Sequence, residues 1–166
     1  MGQVICGDRW MSLCQNNDGA MFLQMGDAAL IVPVTDAGEV LLIWETSPAY
    51  GERTLIVPSG AVETGEEPVE AANRELQEEL GYRSEQLTAL GELHPISKYV
   101  HSRHFVYLAR SLIPSQLEGD EIEVIEVEPV ALARFEELID QGRLHDSSTI
   151  AALYLARRTL MNQTGV

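Results

Sequence analysis

The sequence predicts a mixed α/β fold, of the α+β kind in which helices pack against a mixed sheet. Three observations carry that prediction. Apolar runs of strand length stand before and after one sharply bounded stretch of helical period, two further helical stretches close the chain, and 166 residues suffice for one domain with its own core.

The elements follow in order. Residues 1–26 are mixed, with Asn16-Asn17-Asp18-Gly19 as a hairpin-like turn between short strands at Trp10–Cys14 and Ala20–Gln24. Ala28–Val34 reads as a buried strand. Asp36-Ala37-Gly38 then turns into Val40–Trp44, which predicts a hairpin of these two runs. Residues 45–53 read as a polar loop, and Thr54–Val57 as a strand stopped by Pro58-Ser59-Gly60. From Pro68 to Leu80 the period changes: Val69, Ala72, Leu76 and Leu80 repeat every three or four residues, and Gly81 follows as a C-cap. Glu66, Glu67 and Pro68 stand at the front, where anions and proline favour a helix start. Leu87–His94 and Phe105–Ala109 read as strands around the polar residues Ser97, Lys98, His101, Arg103 and His104. An acidic stretch, Glu118–Glu128, runs into a strand with Ile and Val at period two. Arg134–Gln141 reads as a short helix, and Ser147–Met161 as a longer one packed through Ile150, Leu153, Tyr154 and Leu160.

Composition narrows the function. Lys and Arg number 11 against 26 Asp and Glu, a formal net charge of −15. Such a chain has little charge with which to neutralise phosphates, so nucleic acids and anionic membranes are excluded as partners, and no apolar run approaches the roughly 18 residues of a membrane span. A polyanionic small substrate needs a local reversal of sign, for which bound divalent cations are the obvious candidate. Cys6 and Cys14 belong to no metal or redox motif and read as free thiols. Asp8 and Arg9 interrupt what a secretion signal would keep apolar, so the expected compartment is the cytoplasm. Neither a Rossmann nor a Walker glycine motif is present.

The chemistry concentrates in Arg74-Glu75-Leu76-Gln77-Glu78-Glu79. At about 100° per residue, Glu75 and Glu79 share nearly one helix face, with Glu78 about 60° to one side. Three crowded carboxylates repel one another. They form either a solvated acidic face or a hard-cation site, since Mg²⁺ prefers carboxylate oxygens and completes its shell with water and substrate phosphates.

The wider sequence GAVETGEEPVEAANRELQEELGY, from Gly60 to Tyr82, resembles the Nudix box: Gly, five residues, Glu, seven residues, then Arg-Glu-apolar-x-Glu-Glu-x-Gly-apolar, with aromatic Tyr82 in the last place. The resemblance implies a Nudix-type α/β/α sandwich with a mixed sheet and a catalytic loop-helix. It implies one such domain over 1–166, with residues 1–26 as N-terminal strands available for dimerisation, and a homodimer. It also implies that Glu75, Glu78 and Glu79 hold Mg²⁺ or Mn²⁺ with help from the Ser59 carbonyl, and that Arg74 and Glu66 brace loop against helix. Gly60 and Gly65 permit the tight loop. The implied reaction is hydrolysis of a nucleoside diphosphate linked to a second group, by water attack on phosphorus.

Outside the box the sequence resembles the ADP-ribose pyrophosphatase and ADP compounds hydrolase branch. In the acidic segment Glu118-Gly119-Asp120-Glu121-Ile122-Glu123, the branch places the catalytic base at Glu121 and a glutamate that meets the metal or the attacking water at Glu123. Alternatively, Glu121 and Glu123 are charges that keep an edge strand from aggregating. The branch's usual Glu before the box is Ile56 here, and Trp44-Glu45-Thr46-Ser47 stands where an Arg is common. Candidate substrate contacts are therefore Trp44, Glu45, Arg53 and Arg103, with Lys98 and His104 as further sources of positive charge. Trp44 or Tyr50 could stack on adenine or serve the core. The implied substrate is ADP-ribose, giving AMP and ribose 5-phosphate. NADH, diadenosine polyphosphates, other nucleoside diphosphate sugars and a non-catalytic module sensing ADP-ribose or NAD are the alternatives.

Overall fold

The computed structural model describes residues 2–119 and 125–164. In chain order the strands are β1 (Gln3–Gly7), β2 (Met11–Gln15), β3 (Met21–Met25), β4 (Ala28–Pro33), β5 (Glu39–Ser47), β6 (Glu52–Ile56) and β7 (Ser59–Ala61). Helix α1 (Pro68–Leu80) follows, then β8 (Tyr82–Leu93), β9 (Val100–His101), β10 (His104–Pro114) and β11 (Glu126–Ala131). The chain closes with a 3-10 turn (Leu132–Arg134), α2 (Glu136–Asp140) and α3 (Ser147–Thr164).

The central sheet has the order β7-β4-β10-β8, with β4 and β10 parallel and the other pairs antiparallel. Side chains alternate across a strand, so a strand covered on both faces must be apolar throughout. β4 meets that demand. Ala29 and Ile31 face Ala71, Ala72 and Leu76 of α1. Leu30 and Val32 face the opposite way, where Ala152, Leu153 and Ala156 of α3 pack together with Val40, Leu42, Leu55 and Phe135. The mixed sheet is thus held between α1 and α3, as a sandwich. Each fully buried leucine or isoleucine in these layers contributes about 1.5–3 kcal/mol by leaving water.

A second sheet, β11-β5-β6, is antiparallel. Its register places Glu126 opposite Trp44, Glu128 opposite Leu42, Leu55 opposite Trp44 and Arg53 opposite Thr46. One face of this sheet therefore supplies Val40, Leu42 and Leu55 to the core and, further along the same strands, carries Trp44, Arg53, Glu126 and Glu128. The third sheet, β1-β2-β3-β9, gathers the N-terminal strands.

The structure corrects several sequence expectations. Ala28–Val34 and Val40–Trp44 do not form a hairpin ladder. The turn is there, but the strands enter different sheets and share only the bridge Val34–Val40. β10 occupies one edge of β4, while β7 and the Pro58 carbonyl occupy the other as far as Ile31, which leaves β5 only the bridge at Val34. Residues 45–53 are not all loop: β5 runs to Ser47 and β6 starts at Glu52, because the ladder continues past the buried core into half-exposed, polar positions. In the same way β8 begins at Tyr82 and β10 extends to Pro114, since their pairing tolerates a half-buried Arg83 and an exposed Glu85. The helix expected at 134–141 is split into the 3-10 turn and α2. Within α1, Val69 is exposed and Ala71 is buried in its stead. No helix among the described residues is long and apolar enough to cross a membrane.

Candidate active site

Helix α1 begins and ends on short-range chemistry. Pro68 opens it, and the Glu70 carboxylate reaches back to accept the Glu67 N–H at 3.1 Å. Gly81 closes it in the left-handed conformation at φ 70°, with its N–H bonded to Gln77 O. Any side chain at position 81 would also run into that of Gln116. The segment after β10 is moored to this same turn: Ser115 N donates to Gly81 O at 2.8 Å, Ser115 Oγ to Gln77 Oε1 at 2.8 Å, and Gln116 Nε2 to Glu78 O at 3.1 Å. The acidic segment therefore starts from the helix turn that carries Glu78. Glu121 and Glu123 themselves lie outside the described residues.

The face that α1 turns inward carries a carboxylate as well as apolar groups. Ala71, Ala72, Glu75 and Leu76 are its buried residues. Glu75 sits against β7 so closely that a Cβ at Gly60 would overlap its carboxylate. Gly65 adopts a positive φ of 88° in the loop, whereas Gly60 is required for this close approach and not for its backbone angle.

Arg74 is the hub. Its Nε and Nη2 hold both oxygens of Glu66 at 3.0 and 3.1 Å, its Nη2 also bonds Ala61 O at 2.9 Å, and its Nη1 reaches Glu75 at 2.6 Å and Glu78 at 3.0 Å. Glu66 further accepts the Glu63 N–H at 3.0 Å. Loop and helix are thus braced by the expected pair. The bonds from Arg74 hold the Glu66 carboxyl below the ordinary glutamate range, and those to Glu66 and then Glu75 hold the Arg74 guanidinium above its ordinary value. Glu79 accepts the Ser59 N–H at 3.1 Å.

Of these groups, Arg74, Glu75 and Glu78 line a cleft of about 1200 Å³, whereas Glu66 and Glu79 do not. Its lining brings together Ser59, Arg74, Glu75 and Glu78 from the box with Trp44, Glu45 and Arg53 from the second sheet. Arg103, by contrast, does not line it. Asp27 holds that guanidinium, accepting Nε at 3.1 Å, and also takes the Arg103 backbone N–H. Lys98 lies over the Tyr99 ring, Tyr50 is 85% exposed in the β5–β6 turn, and half-buried His104 leaves its Nδ1 without a partner among the described residues. None of these three lines the cleft either.

Sequence reading missed Trp10, Glu63, Glu118 and Glu126, all of which line the cleft. Trp10 comes from the β1–β2 turn, where Asp8 caps the Trp10 and Met11 N–H groups and Arg9 stacks 4.4 Å from its ring centre. An aromatic residue in a polar turn was the one available signal. Both tryptophans of the chain therefore sit on this cleft.

The cleft's charge is lopsided. Among the described residues that line it, Glu45, Glu63, Glu75, Glu78, Glu118 and Glu126 face only Arg53 and Arg74, and both guanidiniums are already paired, Arg53 with Glu126 at 2.6 Å. As they stand, no three carboxylate, imidazole or thiolate groups among the described residues converge on one point, because Arg74 draws Glu75 and Glu78 while Ser59 holds Glu79. The donor set is nonetheless hard oxygen from one helix face, which suits Mg²⁺ or Mn²⁺, and a rotamer change would transfer a carboxylate from guanidinium to cation.

Residues 25–153 match the NUDIX domain. The chain is 34% identical over 137 residues to the ADP compounds hydrolase NudE of Escherichia coli (strain K12), covering 82% of this chain and 73% of that protein. It is 32% identical over 129 residues to an ADP-ribose pyrophosphatase of Bacillus subtilis (strain 168), covering 76% and 69%. A crystal structure of an ADP compounds hydrolase superposes with a TM-score of 0.84 at 29% identity, over 99% of this chain and 94% of that one.

Proposed function

The chain belongs to the NUDIX family and is a hydrolase, and on that premise we propose that it splits the pyrophosphate bond of an ADP-linked compound. The substrate proposed is ADP-ribose, which takes up one water to give AMP and ribose 5-phosphate. The observation that carries this reading is the charge of the cleft: among the described residues, six carboxylates against two guanidiniums that are already paired. A diphosphate cannot enter such a field alone, so the proposed reaction requires divalent cations between the two sets of anions. Their implied holders are Glu75, Glu78, Glu79 and the Ser59 carbonyl, with Glu123 from the acidic segment.

When bound, the cation neutralises the bridging phosphates and lowers the pKa of a water. The chain supplies the rest. Glu66 and Ala61 fix the Arg74 guanidinium, and Arg74 in turn bonds Glu75 and Glu78 on the cleft wall. Glu121 or Glu123 takes the proton from the attacking water. Trp44 and Trp10 offer ring surface to the nucleoside. The names of the relatives, an ADP compounds hydrolase and an ADP-ribose pyrophosphatase, support an ADP-linked substrate.

The test is a panel of ADP-ribose, NADH, diadenosine polyphosphates and UDP- and GDP-sugars, each with Mg²⁺ or Mn²⁺, in ¹⁸O water with products resolved. ADP-ribose turned over fastest, with label in one monophosphate product, is the expected result. Preference for a UDP- or GDP-sugar would move the substrate elsewhere in the family. The same reading makes the protein a homodimer through its N-terminal sheet, which the exposed apolar residues Val4, Ile5, Met11 and Met21 support. A monomeric mass by light scattering would remove that part.

A further inference from the structure

We infer that Glu128 and Arg143, neither of which lines the cleft, are positioning residues that fix the Trp44 ring in the cleft wall and so set affinity for the planar part of the substrate. This rests on the hydrolase reading above for its substrate, and on geometry for the rest. Trp44 Nε1 donates to Glu128 Oε2 at 3.0 Å. Both oxygens of Glu128 accept from Arg143 Nη2, at 2.9 and 2.8 Å.

Arg143 is itself fixed from the backbone side. Its N–H bonds Leu138 O at 2.8 Å directly after α2, and the next residue, Leu144, is buried in the core. The chain of contacts thus runs from the core, through a half-buried carboxylate, to the edge of one indole. Register explains why the three meet. Glu128 stands opposite Leu42, two residues before Trp44 on the same face of β5, within the diagonal reach of a long side chain.

Two consequences follow. The indole has a single polar atom, and Glu128 uses it, so Trp44 offers the cleft only ring surface, suited to a flat heterocycle and unable to donate a hydrogen bond to it. Arg53 lies 5.6 Å from the centre of the same ring while paired with Glu126, so a cation already rests on the indole. Arg143 also neutralises Glu128. Without Arg143, Glu128 would lose its cation behind a wall that is already rich in carboxylates.

The experiment uses the full chain and two readouts. In a Trp10→Phe background the remaining tryptophan is Trp44, so emission maximum and anisotropy of the unliganded protein report its restraint without any substrate. Glu128→Ala and Arg143→Ala are expected to red-shift the emission and lower the anisotropy, while Glu128→Gln, which keeps an acceptor, stays near the parent. In the protein with both tryptophans, kinetics with ADP-ribose and Mg²⁺ are expected to show KM raised about tenfold by Glu128→Ala with kcat within about twofold, and largely restored in Glu128→Gln. In a Trp44→Phe background, Glu128→Ala should add little further. Unchanged emission, a fall in kcat at constant KM, or an equal effect of Glu128→Ala with and without Trp44 would overturn the inference. Absence of turnover with every ADP compound would instead overturn the substrate reading and leave the fluorescence test standing.

Discussion

The Glu75 carboxylate occupies the space in which any side chain at position 60 would have to begin. A metal-ligand candidate of the helix is thereby pressed against the strand that precedes the loop, and the glycine of the box is explained by contact between two parts of the site. Gly60 is also in ladder register with Ala29 of the central sheet, so the strand cannot simply retreat.

Gly60→Ala is therefore expected to displace Glu75 at a cost of about 1–3 kcal/mol, in the range of other overpacking substitutions. The checks are thermal unfolding and turnover in parallel. Activity should be lost at temperatures where the variant is still folded, because the clash falls on the site before it falls on the core. A fully active variant of unchanged melting temperature would show that Glu75 can move away without consequence.

Arg74→Lys should cost about 2 kcal/mol and most of the activity, although charge is retained. A single ammonium cannot bond both oxygens of Glu66 together with Ala61 O, Glu75 and Glu78. Denaturant unfolding reads the first effect and steady-state kinetics the second. Wild-type stability in this variant would show that the fork geometry is dispensable.

Among the carboxylates, Glu79→Gln should abolish turnover and weaken Mn²⁺ binding by calorimetry, with the fold kept, since an amide can still accept the Ser59 N–H. Glu121→Gln and Glu123→Gln, assayed side by side, assign the base: the variant whose rate falls by about 10²-fold or more carries it, and equal retention of activity in both moves it to another residue.

Stability should fall in acid in two stages. Burial holds the His104 imidazole below its ordinary value of 6.5, so the unfolded chain binds that proton first and stability begins to decline below about pH 6.5. Bonds from Arg157, with the Tyr154 hydroxyl, hold the Glu136 carboxyl at about 2 against an ordinary 4.5, and Arg74 lowers Glu66 in the same direction. The stability from these depressed carboxyls is complete above about pH 4.5 and is lost as pH falls toward 2. Melting temperature against pH checks both stages. His104→Gln should flatten the first and Glu136→Gln the second, and curves parallel to wild type in both would contradict the assignment.

What the sequence determined by itself is local. Helix α1 from Pro68 to Leu80, its glycine stop, the Glu66–Arg74 brace and the box carboxylates were all legible, because each depends on residues within some twenty positions and on chemistry visible in the side chains themselves. Even there, position along the helix alone misjudged Val69, and it did not reveal that Glu75 belongs to the buried face.

Only the tertiary structure decided the rest of the cleft. The Ala28–Val34 run and its successor look like a hairpin in sequence but are drawn into separate sheets, because β7 and β10 take the edges of β4. That separation allows β5 to pair with β11, more than eighty residues away, and so brings Glu126 and Glu128 to Trp44 and Arg53. Trp10 reaches the same cleft from the other end of the chain, while Arg103, equally plausible by composition, is held by Asp27 and does not line the cleft. The reason is physical: strand pairing between distant segments is chosen by which backbone edges and apolar faces remain unsatisfied once the whole core has assembled, and no short window of residues contains that information.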